Sequence, residues 1–126
     1  MIGVPRGVTV YAYGDPCDMR KSFNTLSAMV TNAMRLDLLT GDLFLFVSKN
    51  RKRSKVLYFD GTGMCLFAKR LDQGKFVALW KRHHAGKELT LTLSELGLFI
   101  EGASALRAPL SPPLIRRADL RVEQEG

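Results

Sequence analysis

The stretch from Gly41 to Arg70, GDLFLFVSKNRKRSKVLYFDGTGMCLFAKR, constrains this chain more than any other, because it combines three strand-like apolar runs with the densest positive charge. Leu43 to Val47, Val56 to Phe59 and Met64 to Ala68 are rich in aromatic and β-branched residues, and each is bounded by charge or glycine, as strands are. Between the first two lies Lys49-Asn50-Arg51-Lys52-Arg53-Ser54-Lys55, with Lys or Arg at five of seven positions. Between the last two lies Asp60-Gly61-Thr62-Gly63, whose Asp-Gly step suits the positive φ of a tight hairpin turn. Both alternate faces of these runs are apolar, whereas a half-solvated antiparallel sheet alternates cleanly. The second face therefore needs a cover, from the C-terminal part, a second helix or another copy in a homodimer.

The rest of the chain supplies elements to place around that sheet. Val8 to Tyr13 reads as a first strand, ended by Gly14-Asp15-Pro16, with Asp15 or Asp18 as the cap of a helix. Met19, Phe23, Leu26, Val30, Ala33 and Met34 recur at three- and four-residue spacing and predict a helix from about Met19 that lies on the sheet. After a turn at Asp72-Gln73-Gly74, Phe76 to Trp80 reads as a further hairpin strand. Glu88 to Thr92 reads as a last short strand. Thr92 and Glu95 have capping-box spacing for a helix from Leu93 to about Glu101, ended by Gly102. The expected fold is α+β: a mainly antiparallel sheet of four to six strands, one long amphipathic helix packed on it and a short C-terminal helix. Residues 1–102 read as a single domain. Residues 103–126 carry Pro109, Pro112 and Pro113 with no sustained period and read as an extended or disordered tail.

At 126 residues one such domain buries roughly two thirds of its unfolded-chain surface, enough for a core without metal or disulfide staples. Cys17 and Cys65 form no ligand-spaced set and read as reduced, buried thiols. No apolar run approaches the ~18 residues of a membrane span and no signal peptide is evident, so the expected location is the cytoplasm. The net charge of +7 is concentrated. Lys49 to Lys87 contains eleven Lys or Arg against two acids, while the remainder has eight against ten. A localised excess of this kind points first to nucleic acid, then to an acidic protein surface.

The cations with the best claim to DNA phosphates are Lys49, Arg51, Lys52, Arg53 and Lys55 in the loop, with Lys69 and Arg70 extending the patch. Arg20 and Lys21 fall in the first turn of the predicted long helix, where the macrodipole disfavours cations. Either they hold a phosphate with the backbone amides, or Asp15 and Asp18 neutralise them. Tyr58 reads as a core residue, and Trp80 as core or as a base-stacking platform. No second helix stands at helix-turn-helix spacing, so backbone contact with little sequence preference is expected. Catalytic chemistry is poorly supplied. Asp15, Asp18, Asp42, Asp60 and Asp72 all sit at predicted turns or caps, where Asp serves local hydrogen bonding. His83-His84 lacks a third ligand at zinc spacing and reads as a polar turn. No Ser/His/Asp set, phosphate loop or cofactor fingerprint is present.

One resemblance is specific. The run KVLYFDGTGMCLFAKRLDQGKF, preceded by GDLFLFVSKNR and upstream by DPCDMRKSFNTLSAMV, is similar to the small protein encoded by the second reading frame of the insertion-sequence-66 family of bacterial transposable elements, often called TnpB or Orf2-like. The similarity runs from about Val8 to Phe76 and continues weakly to Glu101. It departs at Trp80 to Lys87 and in EGASALRAPLSPPL. The resemblance implies participation in DNA transposition beside an element-encoded transposase, with no catalytic residue to carry over. The expected function is thus a non-catalytic accessory factor that binds DNA, without cofactor or metal. The alternatives are a protein-interaction subunit whose basic loop meets an acidic surface of the transposase, and a metal-dependent nuclease using the Asp residues above.

Overall fold

A computed structural model describes residues 7–81 and 89–102. Its elements are β1 (Val10–Ala12), α1 (Phe23–Ala28, running into a π-helical turn at Met29–Ala33), β2 (Leu43–Val47), β3 (Arg53–Phe59), β4 (Met64–Arg70), a 3-10 turn at Leu79–Lys81, β5 (Leu89–Leu91) and α2 (Leu93–Glu101). They form an α+β structure around one sheet of order β4-β3-β2-β1-β5.

The sheet is mixed rather than mainly antiparallel. β1 pairs parallel to β2, with Val10 opposite Leu43 and Ala12 opposite Leu45, whereas the other three pairings are antiparallel. The reason is the crossover: a strand, a helix and a strand in succession return the chain to the same end of the sheet, and the second strand then lies parallel. The ladder is extended beyond β1 by Leu43 N–H to the Thr9 carbonyl (3.0 Å), Tyr13 N–H to the Leu45 carbonyl (2.9 Å) and Cys17 N–H to the Val47 carbonyl (2.8 Å).

The crossover helix is short, not long. It starts at Phe23 behind Ser22, because the segment from Asp18 to Lys21 is already committed to a turn in which Lys21 N–H reaches the Asp18 carbonyl. Neither Asp15 nor Asp18 caps it. At its other end Met34 N–H bonds to the Met29 carbonyl, Leu36 N–H to the Val30 carbonyl, and Arg35 takes a φ of 60° that terminates the helix. Leu26 and Val30 are buried as the spacing required, but Phe23 and Ala33 face solvent.

Both faces of the sheet are covered within the chain. On one, Val10, Ala12, Leu45, Val47 and Val56 meet Phe76, Leu79 and Phe99, with Tyr58 and Trp80 packed at the margin. Phe76 stacks on Phe99 at 5.1 Å between ring centroids. On the other, Phe44, Phe46 and Leu57 meet Cys17, Leu26 and Val30. Full burial of each large apolar side chain contributes about 1.5–3 kcal/mol. The cover anticipated for the second face is therefore α2 together with the segment after β4.

That segment, Phe76 to Trp80, is no strand. Phe76 N–H bonds to the Arg51 carbonyl at 2.7 Å, and the chain then turns through its 3-10 segment beneath the sheet; its apolar side chains are buried as expected of a strand, but without a ladder. α2 follows the sequence closely. Thr92 accepts from Glu95 N–H at 3.1 Å and Glu95 returns the bond to Thr92 N–H at 2.8 Å, completing the capping box. Gly102 ends the helix at φ 102°, with space so limited that a Cβ would stand 3.3 Å from Leu71. The expected tail over 103–126 and the His83-His84 turn lie outside the described residues.

Candidate nucleic-acid interface

The basic connection between β2 and β3 is an ordered turn. Ser48 N–H donates to the Arg53 carbonyl at 3.0 Å, and Arg53 N–H donates to Ser48 Oγ at 3.1 Å. Asn50 Oδ1 accepts both the Ser48 hydroxyl (2.8 Å) and Lys52 N–H (2.9 Å). Arg51 is held at φ 62°, a left-handed conformation that costs a side-chain-bearing residue about 1–2 kcal/mol. The Arg51 and Lys52 carbonyls accept from Phe76 and Leu71 N–H, at 2.7 and 2.8 Å, and fasten the turn to the chain after β4. β3 begins at Arg53, three residues before the run that marked it in sequence. Arg53 and Lys55 therefore stand on the sheet, and so do Lys69 and Arg70, which lie inside β4.

Among the nine cations singled out by sequence, three act as internal struts. Lys55 Nζ donates to the Met19 and Lys21 carbonyls at 2.8 and 2.7 Å, joining β3 to the turn before α1. Lys69 Nζ donates to the Ile100 carbonyl at 2.9 Å, at the C-terminal end of α2 where a cation is favoured by the helix dipole. Lys52 Nζ donates to the Gly74 carbonyl at 2.9 Å. Arg20 is neutralised by Asp18, whose carboxylate accepts its guanidinium at 2.7 to 3.1 Å; that bond first, then the one from Arg20 N–H, holds the Asp18 carboxyl well below the usual range. Arg20 and Lys21 precede α1 rather than forming its first turn, so the reading of a phosphate held at that helix end loses its basis, and for Arg20 the Asp18 partner is the explanation.

Lys21, Lys49, Arg51, Arg53 and Arg70 have no side-chain hydrogen bond or ion pair among the described residues. Arg53 lies directly opposite Arg70 across β3 and β4. Because the Arg53 backbone groups bond toward Ser48, this is a non-hydrogen-bonded pair, the closer of the two kinds, so two guanidinium stems rise side by side from one face. Arg53, Lys55, Lys69 and Arg70 line a shallow groove of about 360 Å³ floored by Ala68 and Met19. A second hollow of about 510 Å³ adjoins it, sharing Met19 and Arg53 and bordered by Arg20, Lys49 and Asn50. Arg51, Lys52 and Lys21 line neither.

Among the described residues, carboxylates are not gathered in this groove. Asp60 accepts from Thr62 N–H, Gly63 N–H and the Thr62 hydroxyl at 2.9 to 3.0 Å, and the backbone donors lower its carboxyl to about 2. Asp42 accepts from Thr9 N–H and the Thr40 hydroxyl. Among the described residues no three His, Cys, Asp or Glu side chains stand close enough together to hold a metal ion. Cys17 is buried and its thiol is pushed up by that burial. Cys65, expected to be buried, is only partly so, with Sγ 3.5 Å from Asp60 Oδ2. Ser54 carries no signal in the sequence. It is buried at 1% exposure, and its hydroxyl has no hydrogen-bond partner among the described residues. The strut lysines are equally hidden, since nothing local marks a cation that reaches a carbonyl more than twenty residues away.

A family model for IS66 Orf2-like proteins matches residues 8–109. The chain belongs to this family. Two relatives come from Sinorhizobium fredii (strain NBRC 101917 / NGR234): uncharacterized protein y4jC, 34% identical over 112 residues that cover 89% of this chain and 93% of the relative, and uncharacterized protein y4hO, 33% identical over 102 residues that cover 81% and 86%. No solved structure matches the chain. Membership of the IS66 Orf2-like family points to an accessory role in transposition. Among the described residues no helix is long and apolar enough to cross a membrane.

Proposed function

We propose that this protein is a non-catalytic accessory factor of transposition that grips the DNA backbone through Lys49, Arg51, Arg53 and Arg70, beside the element-encoded transposase. The observation that carries the reading is the Arg53–Arg70 pair. Like charges directly opposite on neighbouring strands destabilise a sheet, and here no carboxylate among the described residues pairs with either one. A bound phosphate would remove the repulsion. Lys49 stands on the rim of the adjoining hollow, so cations follow one another along the surface as a phosphate chain requires. The groove is shallow and its charged lining is Arg53, Lys55, Lys69 and Arg70, which favours positioning contacts on phosphate over sequence readout.

The test is a fluorescence-anisotropy titration against duplex and single-stranded DNA of mixed sequence at two salt concentrations. Double substitution Arg53→Ala/Arg70→Ala should weaken binding similarly on all sequences and reduce the slope of log K against log salt by about 1.8 on duplex, at about 0.9 for each phosphate no longer neutralised. Absence of binding by the parent protein at low salt would refute the reading. The same surface would then be assigned to an acidic face of the transposase.

A further inference from the structure

We propose that two copies of this chain associate through β4, edge to edge and antiparallel about Phe67, and so join their sheets into one. β4 is the outer strand of the sheet, and on its far side no strand pairs with it among the described residues. A seven-residue edge of this kind presents a row of unpaired backbone groups, a template for another strand. At its centre Phe67 is 47% exposed. Its ladder partner Val56 belongs to the buried cluster covered by α2, so Phe67 stands on that face but outside the core.

The alternation of the ladder fixes which backbone groups are free. Arg53 N–H and carbonyl point toward Ser48 in the β2–β3 turn. Even-numbered residues of β3 therefore point toward β4, as Lys52 does when its carbonyl takes Leu71 N–H and as Asp60 does when its N–H reaches the Gly63 carbonyl. Odd-numbered residues of β4 answer them, which leaves Met64, Leu66, Ala68 and Arg70 with N–H and carbonyl directed outward. A two-fold axis at Phe67 pairs Leu66 with Ala68 of the second copy and Met64 with Arg70 of the second copy. All are outward-pointing residues, so the register is compatible with the hydrogen bonds. Phe67 then faces Phe67 of the second copy in a non-hydrogen-bonded pair, the closest side-chain approach a sheet offers.

Charge selects the same arrangement. The cationic end of the edge, Lys69 and Arg70, meets the other copy's Met64 and Cys65, beside which Asp60 holds its carboxylate. A parallel pairing would instead put Arg70 beside Arg70. Because the axis is perpendicular to the sheet, Arg53 and Arg70 of both copies lie on one side, their Arg70 positions about 20 Å apart at ~3.4 Å per residue. The pairing does not depend on DNA binding.

The experiment measures mass in solution by sedimentation of the full chain without DNA across a concentration series. Dimerisation is expected in the parent protein. Ala68→Pro removes an outward N–H on each copy without touching the bond to β3, and should weaken association about 30-fold, the effect of two lost hydrogen bonds. In a Cys65→Ser background, Phe67→Cys should form a disulfide-linked dimer on mild oxidation, since non-hydrogen-bonded pairs bring Cα atoms into disulfide range. A monomer at every concentration would overturn the proposal. So would a dimer that Ala68→Pro leaves intact and that Phe67→Cys fails to trap. Loss of dimer with DNA affinity per chain retained would leave the DNA-binding reading standing, and the converse result would do the same for the pairing.

Discussion

Lys55 tests whether a cation of the basic patch builds the fold or meets DNA. Replacing it by Met keeps the length and packing of the stem and removes only the charge and its donors. Two bonds are lost, to the Met19 and Lys21 carbonyls at 2.8 and 2.7 Å. Hydrogen bonds from a charged donor contribute about 1.5–3 kcal/mol each, but Lys55 is only half-buried and water can recover part of the carbonyl hydration. Discounted for that below the ~3 kcal/mol that two such bonds give at the lower end, the reasoned cost of the pair is about 2 kcal/mol. For a domain of this size that lowers Tm by roughly 8–10 °C. Circular dichroism melts of parent and Lys55→Met protein measure it, and anisotropy titrations below the lower Tm measure the salt slope. The expected result is a clear loss of stability with the slope unchanged. An unchanged Tm with a slope reduced by about 0.9 would refute the strut assignment, because the ammonium would then be spending its charge on phosphate.

Arg51→Gly should act in the opposite sense on the two readouts. Glycine takes φ 62° without the left-handed penalty, so stability measured by denaturant titration should rise, by up to about 1 kcal/mol after the entropy lost to glycine, while DNA affinity falls; a loss of stability would show that the Arg51 side chain has a structural role. Asp60 sets a pH effect. Its folded pKa of about 2 lies below the ordinary 3.8, so its contribution is fully present above about 3.8 and is lost as pH falls through about 2. Acid titration of stability should therefore fall less steeply in that window for Asp60→Ala than for the parent, and parallel profiles would contradict the turn hydrogen bonds.

Much of the fold is legible in the sequence because local chemistry determines it. Thr92 and Glu95 announce α2 by a mechanism contained within four residues, and Asp60-Gly61 closes β3 on β4 for the same kind of reason. The apolar runs of β2 and β3, apolar on both faces, correctly require two covering layers. What the sequence conceals is set by distant partners. β1 is only three residues long, too short for its pattern to say whether its neighbour runs parallel. The α1 spacing admits Phe23 and Ala33 to a stripe that the actual helix axis turns outward. Phe76 to Trp80 has a strand's composition, yet its first N–H is taken by Arg51, so the run packs as a strand would without joining a ladder. In the candidate site, composition finds the basic patch but not its division. Whether Lys55 or Arg53 is free depends on where Met19 and Lys21 lie, and no local signal carries that.

This division alters what the charge of the patch can mean. Read as a string, nine cations suggest nine neutralised phosphates and a salt slope near −8 at about −0.9 each. Strands restrict that number. A lysine at a fixed ladder position reaches only the groups above its own face, and Lys55 and Lys69, on opposite faces, find carbonyls of the two layers that cover the sheet. Their donors are thereby engaged in attaching α1's turn and α2 to the strands, while each ammonium keeps its charge. With Lys52 similarly placed and Arg20 matched by Asp18, the proposed direct phosphate contacts fall to Lys21, Lys49, Arg51, Arg53 and Arg70, which on that reading supply about −4.5 of the slope. The struts still matter to the proposed grip. They hold rigid the backbone from which the free guanidinium groups project, so that less side-chain and loop entropy is lost when a phosphate is bound.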